Sequence, residues 1–459
     1  MKGVAAPHRG QSVLRVESLF FDRPDSSENA VLVHIRFSRF EEADEIAEFA
    51  QLVRSAGVVV DELITGRRRE PQPKFFVGQG KLREVGVALE SNGAGLVVFN
   101  HELSPAQQRN IERELSVRVV TRTQLILDIF SQRARTHEGQ LQVELAQLSH
   151  AQTRLVRGWT HLDRQKGGIG LRGAGETQRE LDQRMLSERI RVLDKRLGSV
   201  RRQRQQSRRR RRRASVPTVA LVGYTNAGKS SLFNRLTASD LYAQDQMFAT
   251  LDPTLRKLPL DGFGTAVLAD TVGFIRDLPH TLIAAFKATL EEVTEADLLL
   301  HVVDASVPDV DERAAQVYGV LEEIGAANRP VLEVYNKIDA LDQSPRCDLG
   351  SDGSPERVWI SAHTGAGVDE LLDALARRLG GQRRALKVLL PFSSGRTRSW
   401  LYQLGAVLDE QLQEDGRVEL TVRVDERAEA RLRKVPGVLL QGVRGNHRIP
   451  PSPLSRGIS

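Results

Sequence analysis

An octapeptide near the middle of the chain, Gly223-Tyr224-Thr225-Asn226-Ala227-Gly228-Lys229-Ser230, matches the phosphate-binding pattern G-x-x-x-x-G-K-[ST] in full. The apolar run 219–222 before it predicts a buried strand, and residues 231–236 after it have a helical pattern. Glycines let the backbone wrap around phosphate oxygens, while N–H groups and the positive end of the helix face the anion. Lys229 would reach the outer phosphates, and the Ser230 hydroxyl would hold Mg²⁺. This strand–turn–helix context disfavours a chance glycine turn and predicts an α/β fold with a mostly parallel sheet.

A second motif indicates which base is bound. Asn336-Lys337-Ile338-Asp339 follows the apolar run 331–335, so it would lie at the carboxyl end of a strand, where open α/β sheets bind ligands. The Asp339 carboxylate can accept from the two adjacent N–H donors of guanine, whereas adenine would leave it poorly paired. Ser361-Ala362-His363 follows another short apolar run and would back the guanine ring. The two motifs together predict GTP or GDP as the bound nucleotide.

The residues between these motifs carry the candidate hydrolytic groups. Asp270 follows the predicted strand 265–269 and would hold Mg²⁺ through its water shell, and the Gly273 N–H would sense the γ-phosphate. Thr250 is the candidate switch residue that closes over Mg²⁺ and the γ-phosphate, with Thr254 as the competitor. The catalytic candidates are therefore Lys229, Thr250 and Gly273. The nucleotide-binding candidates here are Phe248-Ala249-Thr250-Leu251-Asp252 and Asp270-Thr271-Val272-Gly273.

One residue departs from the pattern of many regulatory GTPases. Phe274 follows Gly273 at the position where those proteins carry a glutamine that orients the attacking water. A phenyl ring cannot orient water, so either basal hydrolysis is slow or another group positions the water. Phe274 is equally compatible with a plain packing role. We expect turnover to be stimulated by a partner.

Composition excludes several classes of protein. The length of 459 residues predicts about three domains. No apolar run reaches the roughly 18 residues of a transmembrane helix, and the first thirty residues lack a signal-peptide pattern. Cys347 is the only cysteine, so intrachain disulfides and thiolate metal clusters are excluded, and we predict no structural metal. The expectation is a monomeric cytoplasmic enzyme.

Charge is concentrated in one segment. Residues 133–214 contain 22 Lys and Arg and 8 Asp and Glu, a net charge of +14 in a chain whose total is +7. A basic segment within an acidic remainder favours a nucleic-acid contact over an ordinary solvated helix face. Six consecutive arginines, 208–213, precede Pro217 and predict a linker at a domain boundary that also contacts RNA.

The basic segment also has two apolar seams at spacings of three and four residues, which predict two packed helices. Intrachain pairing as a hairpin is favoured over dimerisation, because the linker permits an antiparallel return. The linker, residues 158–177, contains glycines, Trp159, His161 and basic side chains, and suits either an RNA-contacting tip or a mobile connection. The seams are Leu141, Leu145, Leu148, Gln152, Leu155 and Leu186, Ile190, Leu193, Leu197, Val200.

The glycine-rich tip (Gly168 to Gln178) followed by a GTPase domain resembles the HflX family of ribosome-associated GTPases. Residues 61–64 and 77–81 resemble the N-terminal signatures of that family, and residues 248–254 and 270–275 resemble its switch regions. The resemblance covers roughly residues 31–380. It implies a GTPase that binds the 50S ribosomal subunit, whose tip reaches rRNA near the peptidyl-transferase centre, and which separates stalled ribosomes into subunits. Phe274 matches the hydrophobic residue that the family has in place of the glutamine.

The predicted organisation has a loose tail, 1–24, and an N-terminal α/β domain, 25–132. The helical hairpin, 133–214, the GTPase domain, 215–382, and a small α+β domain, 385–459, follow. The last of these has a predicted helix around 400–413 and strands at 418–424 and 438–443, with an open role and a disordered end from Pro450. Residues 77–81 are glycine-rich without matching a phosphate loop, so a second nucleotide site in the N-terminal domain stays a hypothesis.

Two functional classes fit these features, and a third is weaker. The first is a GTPase that remodels or splits ribosomes. The second is a regulatory GTPase whose basic arm binds a non-ribosomal RNA or an acidic protein. The third is a nucleotide-driven RNA remodeller that uses the N-terminal domain.

Overall fold

A computed structural model describes most of the chain between Asn29 and Gly442. The predicted tails 1–24 and 450–459, and the tip from residue 159 onward, lie outside the described residues. The chain divides into two units. The first comprises the chain up to Ile129 together with Gln147–Ile190, and the second comprises Phe130–Ala146 together with the chain from Arg191 onward. The described ranges are 29–37, 43–158, 178–213, 216–238, 247–248, 250–261, 263–276, 279, 287–380, 383–391, 393–404, 406–413 and 415–442.

The N-terminal domain is built on a four-stranded sheet in the order β2-β1-β3-β4, with every neighbouring pair parallel. The α/β fold predicted for the N-terminal domain is thereby confirmed. Ser104 caps α3: its side chain accepts from the Gln107 N–H, the Gln107 side chain accepts from the Ser104 N–H, and Pro105 takes the first turn. The elements are β1 (Asn29–Arg36), α1 (Ala43–Ser55), β2 (Val59–Arg67), α2 (Gln79–Asn92), β3 (Leu96–Phe99), α3 (Pro105–Leu115), β4 (Arg118–Thr121) and α4 (Arg122–Arg133).

Two long helices follow, α5 (His137–Gly158) and α6 (Gln178–Arg213). They pair antiparallel, because Gln152 donates to the Ser187 hydroxyl at 2.9 Å near the tip and Arg204 pairs with Glu138 at 2.7 Å near the base. The intrachain hairpin is therefore the arrangement observed. Among the described residues, no helix is long and apolar enough to cross a membrane. The seam residues that are buried are Leu141, Leu148, Leu186, Leu193 and Leu197, whereas Leu145, Gln152, Ile190 and Val200 are partly buried.

The prediction that residues 208–213 form a linker is wrong. Helix α6 continues through all six arginines to Arg213. Arginine is a good helix former, and ion pairs offset part of the mutual repulsion of these side chains. Arg208 contacts Glu291 at 2.7 Å and Glu292 at 3.2 Å. At least one arginine of the run thus forms ion pairs within the folded structure.

The GTPase domain has a seven-stranded sheet in the order β10-β11-β9-β8-β5-β7-β6. Five central strands, β7, β5, β8, β9 and β11, run parallel, and the two edge strands are antiparallel to them. The carboxyl ends of the parallel strands consequently share one edge of the sheet, and the chain reverses its order at β5. The elements are β5 (Thr218–Val222), α7 (Lys229–Thr237), β6 (Thr254–Leu260), β7 (Gly264–Asp270), α8 (Lys287–Thr294), β8 (Leu298–Asp304), α9 (Val310–Glu323), β9 (Val331–Asn336), β10 (Arg346–Leu349), β11 (Pro355–Trp359) and α10 (Val368–Gly380).

The C-terminal domain is a four-stranded antiparallel sheet in the order β13-β14-β12-β15. The predicted helix at 400–413 is wrong beyond Gln403, because residues 407–412 form strand β13 on the edge of the sheet. Pairing with β14 outweighs the helical propensity of this short segment. The elements are β12 (Arg383–Leu390), α11 (Gly395–Gln403), β13 (Val407–Leu412), β14 (Val418–Asp425), α12 (Glu426–Arg433) and β15 (Leu439–Gly442).

Candidate functional site

The phosphate loop connects the buried strand β5 to helix α7, as the octapeptide predicts. Gly223 and Gly228 have φ angles of 148° and 91°, and Asn226 also has a positive φ of 61°. A side chain at Gly223 would overlap the Val302 carbonyl, and one at Gly228 would overlap the Asn336 amide. These two glycines are therefore required by close packing as well as by backbone conformation.

Lys229 lies within the loop and is buried. Its amine donates to the carbonyls of Gly223 at 3.0 Å and Tyr224 at 2.6 Å. Burial lowers the pKa of Lys229 to about 8, and the charge of the Asp270 carboxylate opposes this fall. The amine is thus held within the loop, where an anionic ligand would further stabilise its charged form.

Three oxygen-bearing side chains meet beside Lys229. The Thr250 hydroxyl lies 2.8 Å from the Ser230 hydroxyl and donates to Asp270 Oδ2 at 2.7 Å. The Ser230 hydroxyl lies 3.0 Å from the same Asp270 oxygen. Asp270 is buried, and burial raises the pKa of its carboxyl, while hydrogen bonds from Thr250 and Ser230 and the charge of Lys229 oppose the rise. Such a set of hard oxygen ligands, with a buried carboxylate and two partly buried hydroxyls, suits Mg²⁺.

Thr254, the competitor of Thr250, does not join this cluster. It begins strand β6 and is paired across the sheet with Asp270 through the backbone. The position of Thr250 follows from the loop that precedes β6, which brings its hydroxyl to the end of β7. Between the two candidates, the geometry favours Thr250.

Gly273 and Phe274 close the other side of the loop. A side chain at Gly273 would lie 2.9 Å from the Lys229 amine and 3.0 Å from Thr225, so only glycine fits there. The Phe274 N–H donates to the Gly223 carbonyl at 3.1 Å, and the Thr225 N–H donates to the Phe274 carbonyl at 2.6 Å. The Phe274 ring is buried in the core beside Tyr224. The Phe274 ring therefore packs in the hydrophobic core, and its backbone holds the phosphate loop in place.

Asn336 joins the phosphate loop to the candidate base-binding loop. Its side-chain amide donates to the Ala227 carbonyl at 2.9 Å, and its oxygen accepts from the Ala362 N–H at 2.8 Å. The strand-end positions of Asn336 and Ser361 bring these groups to one edge of the sheet. Ser361 is itself buried, and its hydroxyl accepts from the Thr364 N–H at 3.1 Å.

The remaining base-binding candidates surround this link. The Asp339 side chain is exposed in a short 3₁₀ turn, Ile338–Leu341, and Ile338 is buried beneath it. Lys337 has a left-handed backbone and pairs with Asp304 at 2.7 Å. An exposed carboxylate at this edge is available to an incoming ligand. His363 is exposed beside it.

Arg235 is a residue that sequence patterns alone did not indicate. It lies on α7 and donates to the carbonyls of Ala362, at 3.3 Å, and His363. A helical arginine has no sequence signal that predicts a partner so far along the chain. Arg235 therefore links helix α7, which follows the phosphate loop, to the base-binding loop.

Several of the remaining nucleotide-binding candidates make their contacts away from the phosphate loop. Phe248 is buried against Phe130, and Asp252 accepts hydrogen bonds from residues 135 and 136. Leu251 and Val272 are buried. The Thr271 hydroxyl donates to the Leu221 carbonyl at 2.5 Å. Ala249 lies outside the described residues. Of this set, Thr250, Asp270 and Gly273 are the residues that lie beside the phosphate loop.

Four family models match successive parts of the chain. They are described as GTP-binding GTPase N-terminal, residues 43–131; GTP-binding GTPase Middle Region, residues 133–211; 50S ribosome-binding GTPase, residues 218–337; and HflX C-terminal domain, residues 350–441. The matches follow the order of the N-terminal sheet, the helical arm, the seven-stranded sheet and the C-terminal sheet.

Relatives match over most of their length. "GTPase HflX" of Escherichia coli (strain K12) is 57% identical over 405 residues, covering 88% of this chain and 95% of the relative. "GTPase HflX" of Caldanaerobacter subterraneus subsp. tengcongensis is 44% identical over 403 residues, covering 87% and 92%. A crystal structure of a GTP-binding protein from Sulfolobus solfataricus in complex with GDP is similar with a TM-score of 0.43 and 24% identity, covering 77% of this chain and 99% of that one.

Proposed function

Because the chain belongs to the HflX family of GTPases, we propose that it is a Mg²⁺-dependent, ribosome-stimulated GTPase that binds the 50S subunit and splits ribosomes. GTP hydrolysis is the activity of the family. The magnesium, the ribosomal partner and the splitting reaction are the proposed parts. The description of residues 218–337 as a 50S ribosome-binding GTPase supports the partner.

The observation that carries the nucleotide site is the double hydrogen bond of Asn336, which sets the base-binding loop beside the phosphate loop. Asp339 would accept from guanine N–H groups, with Lys337, Ile338 and the Ser361-Ala362-His363 loop lining the base. The phosphate groups would lie on residues 223–230 at the amino end of α7. The remaining proposed contacts are made by Thr250, Asp270 and Gly273, the members of the two loops that lie beside the phosphate loop.

The side chains present fit Mg²⁺. Ser230 and Thr250 would hold the ion directly, and Asp270 would hold it through water. A buried carboxylate that shares both hydroxyls gains from a divalent cation, since desolvation disfavours its isolated charge. When bound, the ion would neutralise charge on the β- and γ-phosphates. Lys229 would hold the same oxygens, and the Gly273 N–H would face the γ-phosphate.

Slow intrinsic hydrolysis follows from Phe274. Its ring is buried and its backbone N–H and carbonyl are bonded to the phosphate loop. It therefore offers no group to orient water, and an external group is needed to do so. We assign that group to the ribosome.

The basic arm supplies the surface for rRNA. Exposed arginines along α6 include Arg184, Arg189, Arg191, Arg196 and Arg202. Binding through such side chains weakens with salt, because counterions are released from the RNA. The tip, 158–177, is proposed to reach rRNA. A monomer acting on cytoplasmic ribosomes is the proposed working state.

The direct test is ribosome splitting. Intact ribosomes are mixed with the full chain and a non-hydrolysable GTP analogue, and subunits are separated on a density gradient. The proposal expects free subunits and the protein in the 50S fraction, with GDP giving neither. A matched Lys229→Ala protein controls for nucleotide dependence. Intact ribosomes without bound protein would instead favour a non-ribosomal RNA or protein partner.

A further inference from the structure

One carboxylate of the GTPase domain caps the first helix of the arm. Asp252 Oδ2 accepts from the backbone N–H groups of Arg135, at 3.0 Å, and Thr136, at 2.8 Å, and Oδ1 accepts from the Thr136 hydroxyl at 2.5 Å. The Thr136 hydroxyl also accepts from the Gly139 N–H at 3.0 Å. Thr136 is thus the N-cap of α5, and the carboxylate lies at the positive end of that helix. These residues belong to the same unit of the molecule.

The same loop enters the nucleotide site two residues earlier. We call the described residues 247–248 and 250–252 the switch loop. Thr250 contacts Ser230 and Asp270, and Leu251 alone separates it from Asp252. Phe248 packs edge-on against Phe130 at the end of α4, with ring centroids 4.7 Å apart. Alternate residues of the switch loop are therefore held by α4, by the candidate metal site and by α5.

We propose that Asp252 is a positioning residue that ties Thr250 to residues 130–139, which we call the arm base. Two residues of extended chain span at most about 7 Å. Thr250 cannot withdraw far from the metal site without pulling the carboxylate off the start of α5. The position of Thr250, which depends on the bound nucleotide, and the contact of Asp252 with the arm base then change together. The two contacts act as one two-state element. This inference rests on the proposed function, because it takes Thr250 as a ligand of the Mg²⁺ that accompanies GTP.

One ion pair joins the arm base to the second arm helix, α6, and two further ion pairs join α6 to α8. Arg204 on α6 pairs with Glu138 at 2.7 Å. One turn further along α6, Arg208 pairs with Glu291 and Glu292 on α8. A shift of the arm base would therefore be shared by both helices of the arm. Hydrogen bonds to a charged group are among the stronger ones, so the coupling resists thermal fluctuation.

Two glycines allow a matched test. A side chain at Gly139 would overlap Asp252 Oδ1, whereas one at Gly198, on α6, meets nothing within 4 Å. Both glycines lie within helices, where alanine is the better helix former. Loss of activity in Gly139→Ala but not in Gly198→Ala therefore reports displacement of Asp252 rather than damage to a helix. Thr136→Val and Thr136→Ser form a second pair, in which only serine retains the hydroxyl.

The experiment measures GTP turnover and GDP affinity of the free protein. It also measures hydrogen exchange of the arm-base amides in two states, one with GDP bound and one with a non-hydrolysable GTP analogue and Mg²⁺ bound. The inference expects kcat to fall roughly tenfold to a hundredfold in Gly139→Ala and Thr136→Val, with GDP affinity kept, because misplacing a group by about 1 Å has effects of this size. Gly198→Ala and Thr136→Ser should match the wild type. The Arg135 and Thr136 amides should exchange more slowly when the GTP analogue is bound than when GDP is bound. Gly139→Ala should abolish that difference between the two states.

Two results would overturn the inference. One is equal exchange of the arm-base amides in both nucleotide states of the wild type. The other is a kcat in Gly139→Ala equal to that in Gly198→Ala. Both are measured without ribosomes, so they are independent of whether the ribosome stimulates hydrolysis or is split.

Discussion

The Thr250 hydroxyl donates a 2.7 Å hydrogen bond to Asp270 Oδ2, which joins the switch loop to the end of strand β7. Asp270 is reached by a buried strand, whereas Thr250 is reached by a loop. The pair therefore joins a strand-end carboxylate to a loop residue. In the proposed function, Thr250 leaves this contact when the nucleotide changes and Asp270 stays in place.

Replacing Thr250 should separate hydrolysis from binding. In Thr250→Ala we expect kcat for GTP to fall on the order of a hundredfold, since one preorganised contact to the reacting group is lost. GDP affinity should change little, because the base and the inner phosphates keep their contacts. Thr254→Ala is the matched control and should hydrolyse GTP like the wild type. Equal losses in the two variants, measured by single-turnover hydrolysis, would contradict the assignment of Thr250.

Asp339 should determine the choice of base. The change Asp339→Asn alters an exposed side chain and leaves the fold intact. GTP affinity should fall on the order of a hundredfold, since a charge-assisted hydrogen bond to guanine is lost. XTP should bind better, because xanthine presents a carbonyl where guanine presents an amino group. Competition with a fluorescent GDP analogue measures both affinities, and unchanged preference for GTP would refute the base site.

Arg208 and Arg209 should have different roles despite being neighbours in the same run. Arg208 is largely covered and pairs with two glutamates, whereas Arg209 is exposed. Arg208→Ala should lower the free energy of unfolding by about 1–3 kcal/mol, as breaking a partly buried pair does. Arg209→Ala should leave urea unfolding unchanged and reduce the salt dependence of RNA binding by about one unit of slope. Equal effects of the two substitutions on unfolding and on RNA binding would show that the run acts uniformly and would contradict the prediction.

His301 should make the protein sensitive to acid. Burial lowers its pKa from 6.5 to about 4, with Glu333 opposing and Lys229 adding to the fall. The unfolded chain binds the proton between these values and the folded chain does not, so this stability is present above pH 6.5 and is lost as pH falls towards 4. From pH 7 to pH 5 the loss should be about 2 kcal/mol. Urea unfolding of His301→Phe should show a smaller loss over this range, and an identical loss would contradict the prediction.

The grouping of the candidate site residues could be predicted from local patterns because each motif lies at a strand end. Gly228 and Asn336 are far apart in the chain, yet parallel strands bring them to one edge of the sheet. The contact of Asn336 with both loops was not predictable, since it depends on the register of β9 against β8. The role of Arg235 likewise depends on a tertiary contact that no spacing encodes.

The errors of prediction arose where tertiary contacts outweigh local composition. The run 208–213 has the composition of a linker, but Arg208 meets two glutamates of α8 and the helix persists. Residues 407–412 form a strand because β14 offers backbone partners, although the segment after Trp400 has a helical composition. Phe274 had two open roles, and only its burial beside Tyr224 indicates the packing role.

The measurement that tests the central claim most directly is GTP turnover by the full chain with and without purified 50S subunits at physiological salt. The account predicts slow turnover alone and a rise of at least about tenfold with subunits, since a partner must orient the water that Phe274 cannot. Turnover that is already fast alone, or that stays unchanged with subunits while GTP still binds, would contradict it.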